Sequence, residues 1–173
     1  MAASVDSITI EPKKALFELT LLNAECSDTE FEDVLIDSLK RDIPAELVTR
    51  LAEIWTQIKV VAGEVIAVGK IIVRKILDFL LANPKLAIGI AVGAALSALV
   101  AGIPIIGYFL GPMVATVSML YGAGIGAAMQ TGDNSLSPYS AAIELAHKFF
   151  ELFTSIFNGV SEYWTSGTEV VGA

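Results

Sequence analysis

The sequence predicts an all-α chain: a charge-free helical hairpin placed in a membrane, flanked by long amphipathic helices and preceded by a small acidic helical region. Three observations carry that prediction. From Leu86 to Gly132 no charged side chain occurs, a run of 47 residues. On either side of it, polar residues recur at steps of three and four, the period of a helix with one wet face. Finally, 54% of the 173 residues are hydrophobic and 17% charged, whereas ordinary domains have roughly 45–50% and 25%. Four regions follow: an acidic N-terminal helical region (1–43), a long amphipathic helix (44–83), the charge-free transmembrane helical hairpin (84–132), and a C-terminal amphipathic helix with its tail (133–173).

A single span needs about 20 apolar residues to cross some 30 Å of hydrocarbon. As one helix the charge-free run would reach about 70 Å, so it must fold back on itself. The break falls in 101–112, where Pro104 and Pro112 remove backbone donors and Gly102, Gly107 and Gly111 widen the allowed dihedrals. The expected arms are Pro84–Gly102 and Gly111–Gln130. Lys70, Arg74, Lys75 and Lys85 precede the first arm and the turn carries no charge. The positive-inside bias then keeps both termini cytoplasmic, for a two-span or a re-entrant hairpin. The competing arrangement buries the hairpin at the centre of a helical bundle. The length of the run argues against it, because a surface helix needs a polar stripe.

Small residues recur at four-residue spacing within the run. Gly89, Gly93, Ser97 and Ala101 form one ridge, Ala94, Ala98 and Gly102 a second, and Gly122 with Gly126 a third. Such ridges let helix backbones approach closely, and two of them on one arm predict packing between copies, hence a homo-oligomer. No ionisable side chain lies in the run to relay a proton or select an ion.

The flanks read as helices with wet stripes. Pro44 opens the first, whose polar positions are Glu46, Arg50, Glu53, Gln57, Glu64, Lys70, Arg74 and Asp78. Ser137-Pro138 opens the second, running to about Trp164, with Glu144, Lys148, Glu151, Ser155, Asn158 and Glu162 at alternating steps of four and three, a coiled-coil-like seam. In the N-terminal region a helix is expected over Lys14–Ala24. Ser27-Asp28-Thr29-Glu30 has the form of a capping box that starts another through about Arg41. The acids Glu30, Glu32, Asp33 and Asp37 offer a basic protein partner a landing surface, or form a solvated face.

Residues 1–53 carry twelve acids against five bases, and the remainder seven against six. An acidic chain without a basic stripe repels phosphate backbones, so no nucleic-acid partner is expected. Met1–Asp6 has no basic stretch leading into an apolar one, so no secretory signal is expected. Cys26 is alone, His147 has no companion at ligand spacing, and no nucleophile, metal or phosphate-loop motif is found. Gly122–Gly126 has the glycines of a phosphate loop but not its lysine. Neither an enzyme nor a cofactor or metal site is expected.

The architecture is similar in plan to pore-forming colicin domains, an analogy of layout. It leads to a small integral membrane protein that assembles in the bilayer through its small-residue faces and permeabilises it, as a lysis or defence effector would. The alternative is a non-conducting structural protein that anchors, shapes or coats a membrane, including a viral one. A third arrangement is a bundle holding a ligand or lipid in its apolar centre.

Overall fold

The computed structural model describes residues 10–33, 36, 43–103, 107–121, 137–161 and 163. The chain is mainly helical, as composition and periodicity predict. In order come α1 (Pro12–Cys26), α2 (Ala45–Trp55), strands β1 (Lys59–Val61) and β2 (Glu64–Ile66), α3 (Val68–Ala82), α4 (Ile88–Gly102), α5 (Gly107–Tyr121), α6 (Ser137–Phe149) and α7 (Glu151–Gly159).

The continuous amphipathic helix expected over 44–83 is three elements. Pro44 caps α2 as its position suggests, but α2 stops at Trp55 and the chain turns back in an antiparallel pair, Lys59 opposite Ile66 and Val61 opposite Glu64. The segment Val60-Val61-Ala62-Gly63-Glu64-Val65-Ile66 explains this: β-branched residues favour the extended pleat, and a two-residue turn joins them. Both turn residues have positive φ, 53° at Ala62 and 83° at Gly63. Glycine adopts that geometry freely, whereas alanine is strained there. Ala62→Asn, which gives the Asn-Gly pair such turns prefer, is expected to raise stability by about 0.5–1 kcal/mol, read as a higher denaturant midpoint with an unchanged slope. The Asn23 side chain of α1 holds the pair in place. Its Oδ1 accepts from the Ala67 N–H at 2.8 Å and its amide donates to the Val65 carbonyl at 3.3 Å.

The first arm of the charge-free run, α4, is the centre of this bundle. α4 packs against α3, α5, α6 and α7. Gly89, Ala91, Val92, Gly93, Ala94, Ala95, Leu96, Ala98 and Leu99 on it are all buried by the chain's own helices. A helix apolar nearly all round is a helix enclosed over most of its length: α4 has no polar stripe because only Ala101, near its C-terminal end, is exposed. Its alanines and glycines let four neighbours approach it. At its C-terminal end, Asn158 donates to the Gly102 carbonyl at 2.6 Å, and a β-carbon on Gly102 would stand 2.7 Å from the Thr154 methyl.

The membrane assignment is overturned by these lengths. α4 and α5 have 15 residues each, about 22 Å of helix against some 30 Å of hydrocarbon, and α5 contains Pro112. Among the described residues no helix is long and apolar enough to cross a membrane. The multi-pass localisation, the transmembrane hairpin, the pore and its non-conducting membrane alternative are therefore not supported. The arms also differ from expectation: the first starts at Ile88 after a turn rather than at Pro84, and the second starts at Gly107 and runs through Pro112. Residues 122–130 of the expected second arm lie outside the described residues.

The C-terminal helix is broken at Phe150, where φ −94° and ψ 5° separate α6 from α7. The break serves an aromatic cluster. Phe79 of α3 meets Phe149 and Phe150 at ring centroid distances of 5.3 and 5.7 Å, and Phe153 meets Phe150 and Phe157 at 6.2 and 4.9 Å. α1 lies across α7 and α3, with Gly159 against Ala15 at the crossing, where a β-carbon would overlap the Ala15 methyl.

Candidate functional site

The N-terminal acids and the basic residues of α3, which the sequence assigns to separate tasks, meet in one cleft. After α1 the chain turns over 27–30 and is helical again from Phe31, where the second N-terminal helix is expected. Ser27 closes α1, donating from both its N–H and its hydroxyl to the Ala24 carbonyl at 3.2 and 2.8 Å. Thr29 N–H donates to the Cys26 carbonyl at 3.0 Å and Asp33 N–H to the Glu30 carbonyl at 3.1 Å. This turn brings Asp28, Thr29 and Asp33 beside Arg74, Leu77, Asp78 and Leu81 of α3, around a cavity of about 320 Å³.

Arg74 crosses the cleft. Its Nη1 donates to the Thr29 hydroxyl at 3.1 Å, and its Nε stands 3.7 Å from an Asp78 carboxylate oxygen. On its other side lies a smaller cavity of about 110 Å³ lined by Leu22, Glu25, Cys26, Ile71, Lys75 and Asp78 as well as Arg74. Three aspartates and one guanidinium line the larger cavity, so the cleft is net negative, and the leucine pair 77 and 81 lines it as well. Leu81 is exposed there. These carboxylates do not form a metal cage: among the described residues no group of three His, Cys, Asp or Glu side chains is placed to hold a metal ion.

Cys26 borders the smaller cavity as a protonated thiol. Burial pushes its pKa up; Arg74 opposes this, Glu25 and Asp78 add to it, and Lys70 opposes it weakly. A raised thiol pKa means little thiolate at neutral pH, the reverse of what a cysteine nucleophile requires.

Three of the four bases expected to flank a bilayer have neighbours within the chain. Lys70 lies over the Trp55 ring at 5.7 Å and donates to the Ser27 carbonyl at 3.5 Å, so it joins α3 to α2 and to the end of α1. Lys75 lies over the Phe149 ring at 5.6 Å, and Arg74 crosses the acidic cleft. Lys85 is exposed in the turn before α4. Of the residues expected to pack copies together, Gly89, Gly93, Ala94 and Ala98 are covered within the chain, Ser97 and Gly102 are half-buried, and Ala101 is exposed. Gly122 and Gly126 lie outside the described residues.

Of the acids proposed for a basic partner, Asp33 lines the cleft and Glu30 and Glu32 are exposed beside it, while Asp37 lies outside the described residues. Asp28 and Thr29, read as the interior of a capping box, and Asp78, read as one step of a polar stripe, belong to the same cleft. No local signal marks them, because what unites them is a contact across more than forty residues. Comparison with family models, with curated proteins and with solved structures finds no match to this chain.

Proposed function

We propose that the chain is a non-catalytic binding protein whose cleft between the end of α1 and α3 receives a cationic side chain, with its flanking apolar residue, from a partner protein. The observation that carries this is the composition of the cavity: Asp28, Asp33 and Asp78 around about 320 Å³, with Leu77 and Leu81 also in its lining. A lysine or arginine brings both chemistries at once, a charged head for the carboxylates and an aliphatic stem for the leucines. The formal charge of −8 supports the same partner class through long-range attraction, and it disfavours nucleic acid.

The test is fluorescence anisotropy with a labelled octapeptide of alternating lysine and leucine. Asp33→Asn combined with Asp78→Asn is expected to weaken binding about fivefold to tenfold, since each solvent-accessible charge contributes up to about 1 kcal/mol. Raising the salt concentration should weaken the unsubstituted chain more than the variant. Equal affinities for the two proteins at low salt would remove the cleft from the binding site.

A further inference from the structure

We propose that α5 is a cover over α4 that opens as a unit of its own, latched by Arg50 of α2 to Thr116. Among the described residues α5 has few packing partners. In the described residues it packs on α4 with Leu110, Met113 and Val117 inward, and on α2. Its outer side is bare: Gly111, Pro112 and Ala115 are exposed and Met119 is 78% exposed. By contrast α4 beneath it is also held by α3, α6 and α7. Removing α5 therefore leaves the rest of the core with most of its contacts, the condition for a local opening separate from global unfolding.

The helix is also weak along its own axis. Pro112 has no N–H to offer the carbonyl of Tyr108, and Gly107 and Gly111 contribute little helix propensity. What fixes it is polar. Thr116 is 3% exposed, and its hydroxyl donates to the Pro112 carbonyl at 2.9 Å while accepting from Arg50 Nε at 3.1 Å. Glu53 holds the guanidinium from the far side, both carboxylate oxygens accepting from Nη1 at 3.0 and 3.1 Å. The chain Glu53–Arg50–Thr116–Pro112 is directional, whereas Leu110, Met113 and Val117 make apolar contacts, so it sets the register of α5 on α2 and resists its sliding or lifting.

Native-state hydrogen exchange on the full chain, resolved by segment, tests this. With Arg50→Met, which keeps an aliphatic stem over Thr116, amides of α5 are expected to exchange about tenfold faster while those of α3 and α4 keep their rates. Pro112→Ala works in the opposite direction and leaves the core alone, because Pro112 is exposed and the substitution returns an N–H to face the Tyr108 carbonyl. It should slow α5 amides about fivefold, again without moving α3 or α4. The two variants are independent, so a failure of Arg50→Met to fold leaves the second measurement to decide. Parallel shifts of equal size in α3, α4 and α5 would show that α5 opens only with the whole chain and overturn the proposal, as would α5 rates that neither variant moves.

Discussion

Gly69→Ala is expected to lower the unfolding free energy by about 3 kcal/mol or more and the melting temperature by roughly 10 °C, followed by circular dichroism at 222 nm. Gly69 opens α3 where the chain returns from the β-strand pair onto the end of α2. A β-carbon at this position would fall on the Ile54 carbonyl oxygen, 2.7 Å from the carbonyl carbon and 3.0 Å from the Trp55 carbonyl carbon. These are backbone atoms, so no rotamer change relieves the overlap. α2 and α3 must separate, and the bond from Gly69 N–H to the Gln57 carbonyl, 2.9 Å long, must stretch or break. Their separation also loosens Ile54, Val68 and Ile72, all buried at this seam. A melting temperature within 2 °C of the parent would mean that the close approach is not a constraint of the fold.

How far the fold was legible follows from where each signal came. The helical class came through, because periodicity is local and this chain has it nearly throughout. α1 was predicted within two residues at each end, and Pro44 marked the start of α2. The transmembrane hairpin, the pore and the membrane localisation share one cause of error. The run from Leu86 to Gly132 contains no charge both in a lipid-exposed arm and in a helix enclosed by four others, and composition does not distinguish the two. Length of unbroken helix does, and it depends on where Ile103 ends α4 and how α5 resumes. The break after Trp55 was carried by β-branched residues and Gly63, but the stripe Glu53–Gln57–Glu64 is just regular enough for a helical period to run through it. Within the cleft, Asp33 was legible as an acid on a surface. Its union with Asp78 and Arg74 was not, since only the docking of α1 on α3 creates it.

Enclosure of α4 but not of the outer side of α5 separates the effects of two substitutions in the charge-free run. Ala94 is wholly buried on α4, so Ala94→Asp places a carboxylate in the centre of the bundle, where leaving an ion without compensation costs several kcal/mol. Against a total stability of about 5–15 kcal/mol, that is enough to shift the urea midpoint far down or to prevent cooperative folding. The sign with pH follows from burial. Desolvation raises the folded-state pKa of the new carboxyl above its unfolded value of about 3.9, so the penalty is absent at lower pH and grows as pH rises through that window toward the folded pKa. Partial recovery of the Ala94→Asp midpoint near pH 4, measured relative to the parent at each pH, is therefore expected. Met119 lies in the same uncharged run but on the bare side of α5, and Met119→Asp should change stability by no more than about 0.5 kcal/mol. A hydrocarbon surround would penalise aspartate at both positions, whereas an enclosed core penalises only the first. Equal and large losses in the two variants would contradict the packing described for α4 and α5.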